Sequence, residues 1–152
     1  MNTEEFDDYT YGTNKENVII NILSQHYNLT NLKHTNKWNQ FDFIDTCDKI
    51  VFELKSRRNK KDQYYDTMIG ANKIKKGLEL CGDGYRVYFC FCFTDFLCIY
   101  QLTPQSINPM WYRSGGRWDR TSPEIKNYCF IPNKLLTKLY SLSSQGKFQR
   151  VC

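Results

Sequence analysis

The stretch FDFIDTCDKIVFELKSR, residues 41–57, decides the fold and poses the functional question. Two apolar runs are separated by the turn-like letters TCDK, which predicts antiparallel strands at Phe41–Asp45 and Ile50–Ser56. Because alternate side chains of a strand point to the same face, Glu53 and Lys55 share one face of the second strand. An acid and a base side by side at the end of a half-buried strand indicate a role beyond solubility.

The first strand supplies a second carboxylate to this place. With the turn at residues 46–49, Asp42 lies across from Phe52 or Glu53, and cross-strand partners hold their Cβ atoms about 4.5 to 5.5 Å apart. Two converging carboxylates repel each other unless a cation sits between them. Such oxygen ligands suit Mg²⁺ or Mn²⁺, with the carbonyl of Leu54 as a further candidate ligand. Lys55 would then orient or deprotonate an attacking water.

The aspartate followed by Glu-x-Lys at the end of the next strand resembles the PD-(D/E)xK nuclease superfamily. Asp42 and the letters FELKSR carry this resemblance, with Phe41 standing where the family has proline. Many members also carry a glutamate on the first helix, and Glu16 occupies that place. The combination is most similar to archaeal-type Holliday-junction resolvases and related small endonucleases. The likeness covers the first two thirds of the chain, and residues 103–152 match nothing recognisable.

The resemblance implies both a fold and an activity. The family core is a mixed sheet flanked by helices in the order α-β-β-β-α-β, which the elements between residues 15 and 102 follow. The implied activity is divalent-metal-dependent hydrolysis of phosphodiester bonds by a DNA endonuclease, leaving a 5′-phosphate and a 3′-hydroxyl. Asp42, Glu53 and Lys55 would be catalytic, and Glu16 would join Asp42, Glu53 and Leu54 around the metal. Junction resolvases also suggest a homodimer.

Each of these residues has an alternative interpretation. Asp45 and Asp48 are rival first acids, although aspartate is also common in turns. Glu16 lies three residues after Thr13, the spacing of a helix capping box. Glu53 and Lys55 can be a surface ion pair, which contributes only about 0 to 1 kcal/mol. The rival functions are therefore a non-catalytic nucleic-acid-binding protein or assembly subunit that keeps the nuclease fold, and a small interaction module.

Basic residues after the candidate site predict contact with nucleic acid. The run KSRRNKKDQ follows Glu53 directly, and phosphate neutralisation by such residues makes binding sensitive to salt. Aromatic and arginine residues alternate in WYRSGGRWDR, a composition suited to stacking on bases. The predicted nucleic-acid-binding residues are Arg57, Arg58, Lys60, Lys61, Lys73, Arg113, Arg117 and Trp118.

The remaining sequence predicts an α/β fold with a mixed central sheet flanked by helices. Helical spacing of apolar residues predicts helices at residues 13–27 and 62–80. A last helix is predicted to open at Pro132, with Leu135, Leu136 and Leu139 inside. Residues 85–102 read as two strands, and NYCFI as another. A small hairpin is predicted around Ser114, Gly115 and Gly116.

Length and composition limit the number of domains and the class of protein. The 152 residues, 41% hydrophobic with a net charge of +5, predict a single domain at residues 13–152 behind an acidic tail at residues 1–12, with a basic aromatic segment at residues 103–123. No apolar run reaches the roughly 18 residues of a membrane span, and the acidic N-terminus differs from a secretion signal. The expectation is an intracellular protein of the cytoplasm or nucleus. Abundant Asn, Ile and Lys suggest an AT-rich, viral genome.

Overall fold

The computed structural model describes residues 13–36, 41–117 and 124–151, so the predicted acidic tail lies outside the described residues. Two α-helices and ten strands follow in chain order, and two short 3₁₀ turns lie at Pro109–Trp111 and Asn133–Leu135. The elements are α1 (Thr13–His26), β1 (Lys33–His34), β2 (Phe43–Asp45), β3 (Ile50–Ser56), β4 (Asp66–Gly70), α2 (Ala71–Gly82), β5 (Arg86–Cys92), β6 (Phe96–Leu102), β7 (Tyr112–Arg117), β8 (Glu124–Pro132), β9 (Thr137–Leu142) and β10 (Phe148–Arg150).

A seven-stranded mixed sheet forms the centre of the molecule, in the order β1-β2-β3-β5-β6-β9-β10. Its β2–β3 pair is antiparallel, whereas β3 and β5 run parallel. The parallel pairing requires a crossover connection, which β4 and α2 provide. Six of the seven residues of β5 are buried, since this strand is covered on both faces.

The two faces of the sheet carry separate cores. On one face, Ile19, Ile22 and Leu23 of α1 pack against Phe52 and neighbouring apolar side chains. On the other face, Ile74 of α2 packs with Phe89 and with residues of a second sheet, of order β4-β8-β7. Val51 belongs to this second core, so the odd-numbered side chains of β3, including Glu53, point toward α2.

Gly77 allows α2 to approach the sheet closely. A Cβ at this position would lie 2.4 Å from Leu102 Cδ2 and 3.2 Å from Val87 Cγ1. Only a residue without a side chain therefore fits between the helix and strands β5 and β6 without displacing them. This close approach fixes the height of α2 above the sheet.

The predicted fold class is confirmed: the chain is an α/β protein with a mixed, curled sheet and two helices, consistent with a restriction-endonuclease-like core. The first helix, the hairpin of β2 and β3, and the pair β5 and β6 lie where they were predicted. The order α1-β2-β3-β4-α2-β5 reproduces the family order α-β-β-β-α-β. Its third strand, β4, pairs with β8 of the smaller sheet rather than with the central sheet.

Three predicted elements were wrong. Residues 66–70 form strand β4 instead of the first half of a helix, because Thr67 and Ile69 alternate into the core. The predicted hairpin around residues 114–116 is instead continuous strand β7, which pairs with β8. The predicted last helix is a 3₁₀ turn followed by strand β9, which pairs with both β6 and β10.

Over the residues whose placement is described, no helix has the length and apolar character that a membrane crossing requires.

Candidate active site

Asp42 lies immediately before β2 and opposite Glu53 of β3. The pairing of Phe43 with Phe52 sets this register, and the Asp42 N–H donates to the Phe52 carbonyl at 3.0 Å. The apolar neighbours Phe41 and Phe43 pack into opposite cores, which marks a local irregularity in the strand at Asp42. The predicted apposition of Asp42 with this part of β3 is therefore present.

A backbone hydrogen bond orients the Asp42 carboxylate. The N–H of Leu54, the residue after Glu53 on β3, donates to Asp42 Oδ2 at 2.7 Å. The bond is short, as expected for a charged acceptor. It holds one oxygen of the half-buried carboxylate against β3.

Glu53 is a buried carboxylate held between two lysines. Its residue is only 3% exposed. Lys55 Nζ lies 3.2 Å from Oε1, and Lys73 Nζ lies 3.3 Å from Oε2. Lys73 also lies 5.7 Å from the centre of the Phe41 ring, so the ammonium is positioned over an aromatic face. An ion pair this deep differs from the exposed surface pair considered as an alternative.

The electrostatics of Glu53 reflect its burial. Burial raises the pKa of the Glu53 carboxyl above its ordinary value, and the negative charge of Asp42 raises it further. Lys55 and Lys73 oppose this rise. Asp42 is thus close enough to destabilise the charge of Glu53, and a cation shared by two such carboxylates relieves this repulsion.

The oxygen atoms present fit a hard divalent cation. Glu53 Oε2 is buried and has no hydrogen-bond partner in the structure, although Lys73 lies within ion-pair distance. Carboxylate oxygens of this kind are typical Mg²⁺ and Mn²⁺ ligands, and such ions keep several waters in addition to one or two carboxylates. Within the described ranges, no group of three or more His, Cys, Asp or Glu residues assembles around a metal position.

Glu16 is placed apart from this pair. Its Oε2 lies 3.9 Å from His34 Nδ1, and the side chain is half exposed. Helix α1 packs on the face of the sheet opposite the Glu53 side chain, which explains why Glu16 is not brought to Asp42 and Glu53. The structure therefore does not bring Glu16 together with the other predicted metal ligands.

Asp45, the rival first acid, is occupied within the turn. Its Oδ1 accepts hydrogen bonds from the N–H groups of Cys47 and Asp48, both at 2.9 Å, and its Oδ2 accepts from Asn31 N–H at 3.2 Å. The side chain is buried and its oxygens are satisfied by backbone donors. Asp45 therefore stabilises the turn, as its alternative interpretation predicts, and Asp48 is exposed beside it.

The basic residues after β3 divide into two groups. Arg58 and Lys60 are exposed, as a phosphate contact requires. Arg57 is half-buried: its Nη2 donates to the Met68 carbonyl at 2.6 Å, and burial lowers its pKa. Lys61 is 5% exposed and lies 3.3 Å from Asp62, so it is not open to a phosphate in this conformation.

The structure describes three of the four remaining residues that were predicted to contact nucleic acid. Arg113 is exposed, pairs with Asp66 at 2.6 Å and stacks 3.8 Å over the Phe130 ring. Arg117 ends strand β7, and Trp118 lies outside the described residues. Lys73, predicted to extend the phosphate-binding surface, instead contacts Glu53.

Lys73 is the member of the site whose role the sequence does not indicate. Its one local signal is a basic residue in the first turn of the helix that follows the Glu-x-Lys strand. Contact with Glu53 depends on how α2 lies over β3, which no local pattern specifies.

An α/β core with two acids on neighbouring strands and a lysine two residues after the second acid defines the PD-(D/E)xK class. Residues 8–139 match the family described as "Phage putative PDDEXK endonuclease". The chain belongs to this family, and the predicted membership of the superfamily is confirmed. Searches of curated proteins and of solved structures returned no match.

Proposed function

We propose that this protein is a divalent-metal-dependent nuclease that hydrolyses phosphodiester bonds, and that it acts as an endonuclease on DNA. The family name supports a phage nuclease. The observation that carries the proposal is the buried Glu53 carboxylate opposite Asp42, with its Oε2 lacking a hydrogen bond. A fold gains little from burying such a group, since desolvation of a charged pair offsets most of its attraction.

Asp42 and Glu53 would hold Mg²⁺ or Mn²⁺, with the Leu54 carbonyl as a further candidate ligand. PD-(D/E)xK nucleases generally use divalent metals, and such an ion supplies Lewis-acid stabilisation of the phosphate charge and a water of lowered pKa. The N–H of Leu54 keeps Asp42 turned toward β3. Because Glu53 is buried at the same place, both carboxylates are ordered before the substrate binds.

Lys55 and Lys73 would perform different tasks beside the carboxylates. Lys55 is about one-third exposed, so its ammonium can reach both Glu53 and an incoming phosphodiester. We assign it the orientation of the attacking water and the stabilisation of charge that develops on the phosphate oxygens. Lys73 is less exposed and would hold Glu53 Oε2 in place when no cation is present.

The test is cleavage of duplex, single-stranded and branched DNA, and of RNA, with Mg²⁺ or Mn²⁺. Glu53→Gln and Lys55→Met should each lower the cleavage rate at least about a hundredfold. Lys75→Met, an exposed position of α2, serves as the matched control. If the Glu53 and Lys55 variants cut as fast as the parent, the assignment is wrong.

A second candidate is a nucleic-acid-binding protein that keeps the fold without cleavage. It is favoured by the two ammonium groups that already neutralise Glu53, together with the lack of a third metal-holding side chain across the described part of the chain. This candidate predicts salt-sensitive binding with no cleavage and no rise in melting temperature when Mn²⁺ is added.

A further inference from the structure

A basic groove of about 450 Å³ opens at one end of the central sheet. It is lined by three cationic side chains, by hydroxyl groups and by the turns that follow β5 and β9. The polar lining residues include Lys15, Arg57, Lys60, Asp95, Ser143 and Ser144.

The groove lies where β3 and β5 end together. Ser56 and Cys92 are the last paired residues of these parallel strands, and Arg57 N–H then donates to the Cys92 carbonyl at 2.8 Å. Thr94 N–H donates to the Asn59 carbonyl at 3.1 Å, which ties the basic loop to the β5–β6 turn. The floor of the groove is therefore held by backbone hydrogen bonds.

The candidate active site lies along β3 from the groove, since Glu53 stands midway along this strand. Glu53 and Arg57 are four residues apart, which corresponds to about 13 Å along an extended strand. A DNA strand rises roughly 3.4 Å per nucleotide in a duplex, so this distance spans about four nucleotides. The start of α1 reaches the groove from the other face of the sheet, where Lys15 is one of the lining residues.

The charges in the groove favour an anion. Among the described residues that line the groove, Lys15, Arg57 and Lys60 face one acid, Asp95. That carboxylate already accepts the Lys61 N–H at 2.9 Å. Lys60 is exposed, and Ser143 and Ser144 present hydroxyl groups that can donate to phosphate oxygens.

We propose that this groove binds the phosphate backbone of the DNA strand being cut, a few nucleotides from the cleavage point, through Lys15, Lys60 and the hydroxyls of Ser143 and Ser144. The proposal rests on the proposed nuclease function and adds the path of the substrate. Arg57 lines the groove mainly as a structural group, since its guanidinium is already bonded to Met68. The contacts follow the backbone and read no base, so binding should not depend on sequence.

The experiment measures binding of a fluorescent DNA oligonucleotide by the full chain in EDTA, over a series of salt concentrations. The variants are Lys60→Gln, the double change Lys15→Gln with Lys60→Gln, and Ser144→Asp. Lys49→Gln removes the same charge from the turn before β3, at the opposite end of the sheet, and is the matched control. Melting temperatures establish that each variant is folded.

The logarithm of the binding constant falls as the logarithm of the salt concentration rises. Each lost phosphate contact should make this negative slope shallower by about 0.7 to 0.9. We expect the double variant to bind at least about tenfold more weakly at low salt, Ser144→Asp to weaken binding through repulsion, and Lys49→Gln to match the parent. A parent that cleaves DNA while all groove variants bind like Lys49→Gln would overturn the groove proposal alone. A parent that neither cleaves nor binds DNA would overturn the nuclease function as well.

Discussion

Leu54 N–H and Asp42 Oδ2 are joined by a hydrogen bond of 2.7 Å, so β3 itself orients the first carboxylate of the site. The residue that donates this bond stands between Glu53 and Lys55 in the sequence. One short segment therefore supplies the second acid, the lysine and the group that positions the first acid. Substitutions at Asp42 can therefore test its negative charge separately from its acceptance of the Leu54 hydrogen bond.

Asp42→Asn should abolish cleavage while leaving the fold nearly unchanged. The amide oxygen can still accept the Leu54 N–H, but the negative charge that would hold the cation is lost. Asp42→Ala removes the acceptor too, and should lower the free energy of unfolding by about 1 kcal/mol. Urea denaturation and a cleavage assay check the two effects. Equal loss of stability in both variants would contradict the hydrogen-bonding role.

Lys73→Met should destabilise the protein, because it leaves buried Glu53 with Lys55 as its one remaining ion-pair partner among the described residues. The expected loss is about 1 to 3 kcal/mol, allowing for the partial exposure of Lys73. Lys75→Met on the same helix should change stability by less than about 0.5 kcal/mol. Chemical denaturation measures both variants.

A double-mutant cycle sharpens the test of this ion pair. Adding Glu53→Gln to Lys73→Met removes the unbalanced charge, so the double variant should lose less stability than the sum of the single changes. Mn²⁺ should raise the melting temperature of Lys73→Met more than that of the parent, since the cation replaces the missing ammonium. Additive losses and equal Mn²⁺ shifts would argue that Lys73 does not act on Glu53.

Gly77→Ala should destabilise the fold through overpacking. The added Cβ would lie 2.4 Å from Leu102 Cδ2 within the core, and such strain costs about 1 to 3 kcal/mol. Gly82→Ala, at the end of the same helix, has no atom within 4 Å of the added Cβ and should be neutral or stabilising by up to about 1 kcal/mol. Thermal unfolding of the two variants compares them. Equal stability of both variants would contradict the close approach of α2.

The buried thiols should stay unreactive at neutral pH. Burial raises the pKa of Cys98 to about 12 and that of Cys129 to about 11, so almost no thiolate forms below pH 9. Cys47 is exposed and should react with an alkylating reagent in the folded protein. Mass spectrometry after timed alkylation identifies each modified residue. Rapid modification of Cys98 or Cys129 before unfolding would contradict their burial.

The hairpin of β2 and β3 was predictable because its determinants are local. Within 17 residues, the sequence contains two apolar runs, a short turn between them and alternating polar residues around Glu53. These features fix the positions of both strands, and Asp42 is thereby placed opposite Glu53. Strand β4 was not predictable in this way. Met68 and Ile69 follow Tyr65 at helical spacing, yet Ile69 pairs with Cys129, 60 residues along the chain. That distant partner overrides the local preference.

The same distinction applies within the site. Lys55 is two residues from Glu53, and strand geometry alone brings them together. Lys73 reaches Glu53 only because α2 crosses over β3, which follows from the parallel β3–β5 pairing and from the close approach at Gly77. Leu135, Leu136 and Leu139 were expected on the inner face of the last helix. Leu136 and Leu139 are buried but lie in an extended segment, just before and within strand β9, whereas Leu135 is 45% exposed. Apolar spacing identified two of these three leucines as core residues without identifying their backbone conformation.

A crystal soaked in Mn²⁺, with anomalous diffraction recorded at a wavelength where manganese scatters strongly, tests the central claim most directly. The account predicts one dominant anomalous peak within coordination distance of carboxylate oxygens from both Asp42 and Glu53, and its loss in Glu53→Gln crystals. The absence of an anomalous peak at this position at saturating Mn²⁺, or a peak coordinated by other residues alone, would contradict the proposed metal site.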